Sequence, residues 1–81
     1  MVSVRVRTGF CLDVRFLDGT EGVVDMQGLL DGDPGVFAPL RDARRFGEVR
    51  VEHGAVSWPG DLDLAPDAIH AAIKSHGRCT L

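Results

Sequence analysis

The sequence contains no tyrosine, a single tryptophan and only two cysteines, and each scarcity excludes something. Surfaces that bind single-stranded nucleic acid stack bases on exposed aromatic rings set among basic side chains. Here the few aromatics, Phe10, Phe16, Phe37, Phe46 and Trp58, all fall at positions that read as core. Cys11 and Cys79 lie near opposite ends of the chain without C-x-x-C spacing. They make no disulfide framework, and the chain reads as cytoplasmic, in a reducing compartment. Cys79 stands third from the end, one place off a prenylation box. No apolar run approaches the roughly 20 residues that a membrane span needs. Met1 to Phe10 interleaves Arg5 and Arg7 with valines, which suits a strand and not a signal peptide. Positive charge is also short, with nine basic residues against twelve acidic ones and a net charge of −3. That balance argues against general attraction to nucleic acid or anionic lipid.

The recurrent motifs of catalysis are missing as well. There is no P-loop, dinucleotide fingerprint or nucleophile elbow, and Cys11 has no sequence-evident base beside it to lower its pKa. His53, His70 and His76 do not cluster. His76 and Cys79 have a metal-like spacing, but two ligands do not complete a tetrahedral site. Asp61, Asp63 and Asp67 alternate like the start of a calcium loop without its glycine or its bidentate glutamate. They read instead as partners for turn amides and a helix N-terminus. No catalytic, cofactor-binding or metal-binding residue is therefore assigned, and the expectation is a protein that is not an enzyme and carries no cofactor.

What is present is alternation. Val2, Val4 and Val6 point one way and Ser3, Arg5 and Arg7 the other; Phe10, Leu12, Val14 and Phe16 then point inward, with Cys11, Asp13 and Arg15 outward. This is the pattern of a half-buried antiparallel sheet. A three-residue Arg7-Thr8-Gly9 loop would keep the faces matched, pairing Val6 with Phe10 and Val4 with Leu12. At Asp18-Gly19 a two-residue type I′ turn suits the dipeptide but scrambles the faces. A Leu17–Gly19 loop sets Leu12 opposite Val24 and Arg15 opposite Glu21, and is favoured. The third strand then runs from about Thr20 to Met26.

Gln27 to Arg45 is broken too often by glycine and proline for a long helix. Leu29-Leu30 suits one helical turn, Val36, Phe37 and Leu40 suit apolar anchors, and Asp42 suits a cap on a short helix from Ala43 to Phe46. Glu48–Glu52 and Ala55–Trp58 read as a hairpin about His53-Gly54, with Val56 and Trp58 inward and Pro59 ending the strand. Pro66 suits the first turn of a final helix, Asp67 its positive dipole end and Gly77 its close. Ile69, Ala72, Ile73 and His76 share one face of that helix. The expected architecture is one α+β domain over residues 1–81, with a small, mostly antiparallel sheet of about five strands in hairpins. An irregular middle and one C-terminal helix packed on one sheet face complete it. Trp58, Pro59, Asp63, Pro66 and Asp67 fix how that helix meets the sheet.

The stretch Val36-Phe37-Ala38-Pro39-Leu40-Arg41-Asp42, then Phe46, then Val49-Arg50-Val51, leads to Val56-Ser57-Trp58-Pro59-Gly60-Asp61-Leu62-Asp63-Leu64-Ala65-Pro66-Asp67. Together these resemble the small bacterial domain-of-unknown-function family twenty-four forty-two. Phe16-Leu17-Asp18-Gly19-Thr20-Glu21-Gly22 fits the Phe-x-x-Gly-x-x-Gly of that family. Two departures stand out. Gly60-Asp61 replaces the usual Asn-Gly after Trp-Pro, and Ala65 replaces a capping serine. The second should cost on the order of 1 kcal/mol unless Asp63 supplies the cap. The resemblance implies a compact sheet-plus-helix domain without an established activity or cofactor. It also implies a gene that neighbours another small family in an arrangement like a toxin–antitoxin pair. Some relatives carry a further helix-turn-helix, for which this chain ends too soon.

The expected function is a non-catalytic protein-interaction module, the antitoxin-like partner of a small neighbouring protein. Its partner surface is expected among Arg5, Arg7, Arg15, Arg41, Arg44 and Arg45, the only basic concentrations in the chain. A nucleic-acid-binding accessory protein using the arginine-bearing sheet face is the alternative. Self-association through an exposed strand edge is compatible with either.

Overall fold

The period-2 alternation is realised as strands in the computed structural model, which describes all 81 residues. In chain order the elements are β1 (Ser3–Arg7), β2 (Cys11–Arg15), β3 (Glu21–Asp25), α1 (Gln27–Asp31), a 3-10 segment (Gly35–Arg41), α2 (Ala43–Phe46), β4 (Arg50–Glu52), β5 (Ala55–Trp58), β6 (Leu62–Asp63), α3 (Pro66–His76) and β7 (Arg78–Thr80). The class is α+β, as the pattern predicts. The strands number seven, however, and they form two sheets, ordered β1-β2-β3-β7 and β4-β5-β6. All pairs are antiparallel except β3 with β7, where Val24 lies beside Cys79.

The second hairpin has the predicted register, Leu12 opposite Val24 and Arg15 opposite Glu21. The first is shifted by two residues. Val6 faces Leu12 and Val4 faces Val14, so the loop is Thr8-Gly9-Phe10. A shift of two preserves which face each side chain occupies, so the inward and outward sets survive. Phe10 leaves the ladder for a left-handed backbone (φ 58°), an uncommon state for a bulky residue. Its ring gains an edge-on contact with Phe46 at 5.2 Å, which offsets backbone strain of about 1–3 kcal/mol.

The core is one cluster of 14 buried residues contributed by both sheets, α1, the 3-10 segment, α2 and α3. Helix α3 sets Ile69 and Ile73 into it over the β3–β7 half of the first sheet. It comes so close that a Cβ on Gly22 would stand 2.9 Å from the Ile73 side chain and 3.0 Å from the Gly77 carbonyl. The β1 half is less covered, so Val2 and Val6, expected inside, are 51% and 41% exposed. Val36 is no anchor either, at 72% exposed; Leu40 alone of its trio is fully buried. His76 lies at the exposed end of α3, one residue before Gly77 turns the chain left-handed (φ 77°) into β7.

Trp58 joins the second sheet to α2. Its indole Nε1 donates to the Phe46 carbonyl at 2.9 Å in the interior, and its ring lies against Phe46 and Phe37. Asp42 caps α2 by accepting from the Arg44 amide, as its position predicts. At α3 the N-cap Ala65 makes no side-chain bond. Asp63 does not replace it, because it sits in β6 opposite Ser57. The departure Gly60-Asp61 fills two successive left-handed positions, φ 95° and 62°. Glycine takes the first freely, and aspartate tolerates the second better than most residues.

Candidate interaction face

The face of the first sheet turned away from the core is formed by the odd-numbered residues of β1, β2 and β3 together with Arg78 and Thr80. Registered rows run Ser3-Arg15-Glu21, Arg5-Asp13-Val23-Arg78 and Arg7-Cys11-Asp25-Thr80. Four arginines and three carboxylates stand on it, with no aromatic ring. A shallow concavity of about 570 Å³ opens over the β1–β3 part, bounded by Ser3, Arg5, Asp13, Arg15, Glu21 and Val23.

Two of the arginines are tied within the face. Arg7 reaches Asp13 at 3.4 Å and Arg78 reaches Asp25 at 3.0 Å. Arg5 and Arg15 form no ion pair with any carboxylate. Arg15 and Glu21 are cross-strand neighbours, but their charged groups do not close the pair. The two guanidiniums beside the concavity are therefore available to an external anion.

Cys11 lies on the same face and donates weakly to the Gly9 carbonyl. Burial, and after it the neighbouring Asp25 carboxylate, push its thiol up from its ordinary value, outweighing Arg78 and Arg7. Burial does the same to Cys79. Both cysteines are free and unpaired, and both favour the neutral thiol over the nucleophilic thiolate.

The other predicted basic residues do not join this surface. Arg41 donates through Nε to the Leu30 carbonyl at 2.7 Å and through a terminal nitrogen to Gly32 at 3.2 Å. It closes the carbonyl end of α1 and is a structural clamp. Arg44 and Arg45 lie on α2, which packs through Phe46 on the core side. From the sequence Arg78 reads, with Lys74, as a basic residue suited to the C-terminal end of the final helix; the structure places it instead in β7, a strand of only three residues. Gly77, as the left-handed stop of α3, marks where the chain turns away, but three residues of alternation do not mark a strand.

On the remaining surface, Asp18 in the β2–β3 loop accepts from the Thr20 amide at 2.9 Å and meets His70 Nε2 of α3 at 2.9 Å. The Thr20 bond first, and His70 after it, hold the Asp18 carboxyl well below the usual carboxylate range. The His70 ring also stands edge-on to Phe16 at 4.7 Å. A second concavity of about 350 Å³ overlies the outer face of β4–β6, where Arg50 pairs with Glu52 at 2.7 Å. No three His, Cys, Asp or Glu side chains converge in metal-ligand geometry, and no helix is long and apolar enough to cross a membrane.

The profile of the family described as "Protein of unknown function (DUF2442)" matches residues 1–75. No curated protein matches the chain, and no solved structure does. The match takes in all the elements up to the last turn of α3 and stops short of β7. The chain belongs to this family.

Proposed function

We propose that this family member is a non-catalytic interaction module that receives a small acidic protein on the outer face of its four-stranded sheet. Its role is antitoxin-like toward the protein encoded beside it, in a cytoplasmic setting where both thiols stay reduced. The observation that supports this reading is the pair Arg5 and Arg15, exposed beside a concavity and unneutralised within the chain. Opposite charges brought to such a face steer encounter and fix register. The nucleic-acid alternative finds less support, because carboxylates alternate with the arginines and the face offers no ring for a base to stack on.

The test is co-expression with the adjacent gene, followed by light scattering of the purified material. A stoichiometric complex is expected, with Arg5→Glu combined with Arg15→Glu weakening it about ten- to a hundredfold. Clean monomer in the presence of the neighbour would sink the reading. RNA retention that falls steeply with salt and disappears in the double variant would transfer the face to the alternative.

A further inference from the structure

Resting on that reading, we propose that the partner enters as a β-strand added to the free edge of β1, and that this strand alternates acidic with apolar residues. The edge is defined by which main-chain groups are already used. The Phe10 carbonyl accepts from the Met26 amide, and the Phe16 amide donates to the Thr20 carbonyl. The even-numbered residues of β2 and its flanks therefore bond to β3, and the odd-numbered ones bond to β1. Through the pairs Ser3–Arg15, Arg5–Asp13 and Arg7–Cys11, β1 commits its odd-numbered residues to β2. The N–H and C=O groups of Val4 and Val6 point outward, away from the sheet. The β4–β5 turn meets the chain at the other end, where the Met1 amino group donates to the Gly54 carbonyl. Strand β4 also lies against β1, and Val4 is half-buried whereas Arg5, Val6 and Arg7 are exposed, so the edge opens most toward its Arg7 end.

The side chains on either side of this edge specify what fits. On the core side Val6 is 41% exposed and would be covered by an apolar neighbour. On the outer side Arg5 has no carboxylate partner and Arg7 has one at 3.4 Å. Opposite charges facing each other across strands are favourable and like charges are not. A second copy of the chain fails on that count. To use the free groups, an antiparallel β1–β1 pair must set Val4 or Val6 against Val4 or Val6. Setting Val4 against Val6 places Arg5 opposite Arg5, setting Val6 against Val6 places Arg5 opposite Arg7, and setting Val4 against Val4 places Arg5 opposite Ser3, so no register offers Arg5 a carboxylate. An incoming strand with glutamate or aspartate at the arginine rows and valine-like residues between them satisfies both faces at once. Main-chain bonds then supply affinity and alternate side chains supply selectivity.

Two peptides of about seven residues, one alternating valine with glutamate and one alternating valine with lysine, provide the probe. With the glutamate peptide, hydrogen exchange at the Val4 and Val6 amides should slow about tenfold at saturation, while the lysine peptide leaves it unchanged. Val6→Pro removes an N–H that β2 does not use, a change tolerated on edge strands. It should retain the far-ultraviolet dichroism of the parent and bind the glutamate peptide about tenfold more weakly. Arg5→Glu, which leaves the backbone alone, should reverse the preference toward the lysine peptide. The proposal is overturned if Val4 and Val6 stay unprotected by the glutamate peptide, or if Arg5→Glu leaves the preference unchanged. It is overturned equally by a homodimer that Val6→Pro dissolves. Should the neighbouring protein bind with Val4 and Val6 still exchanging freely, the edge is wrong while the interaction reading stands.

Discussion

At Gly22 a methyl group would be forced against Ile73 and the Gly77 carbonyl, so the sheet meets α3 through a residue chosen for its lack of a side chain. Gly22→Ala should destabilise the fold by about 1–3 kcal/mol, seen as a lower urea midpoint at unchanged slope. Gly60-Asp61 makes the opposite case. Asp61 holds φ 62°, and Asp61→Asn should keep or slightly raise the melting temperature, whereas a β-branched residue there should lower it by several degrees. Single residues were legible where their role is local. Asp42 was recognisable as a cap because its partner is two residues away, and Trp58 as core because its strand alternates. Arg41 was not, since a side chain that reaches back to Leu30 and Gly32 leaves no periodic trace.

Among the elements, α3 begins without a side-chain cap, and its N-cap backbone (φ −68°, ψ 112°) is already extended. Ala65→Ser should therefore add about 1 kcal/mol, a rise of roughly 4–8 °C in a domain of this size by thermal melting. The Asp18 contact ties the β2–β3 loop to the same helix. Its folded carboxyl titrates below the unfolded value of about 3.9. The stability it contributes is present above that value and is lost as pH falls toward the depressed folded one. Asp18→Asn should thus be less stable than the parent at neutral pH and lose less on acidification, measured by urea midpoints down to about pH 2. Registers were readable only as parity. The face rule decided the second hairpin, but it could not detect a two-residue shift in the first. The strands β6 and β7, of two and three residues, are too short for alternation to announce them.

For the molecule as a whole, a net charge of −3 conceals a face on which arginines outnumber carboxylates by one. Affinity of the acidic partner should accordingly weaken as salt rises from about 0.05 to 0.5 M, by calorimetric titration, even though the protein itself is acidic. The α+β class, the final helix and the arginine pair Arg5 and Arg15 were visible in the sequence. The division into two sheets was not, because it depends on which strands pair across the whole chain, and β7 returns to β3 from the far end. That division has an optical consequence. The only indole chromophore is buried where β5 meets α2, hydrogen-bonded to Phe46, and the four-stranded sheet contains none. Tryptophan emission therefore watches one sheet and its helix junction, while circular dichroism watches both. If the shared core makes the domain a single cooperative unit, the two signals will trace one unfolding curve.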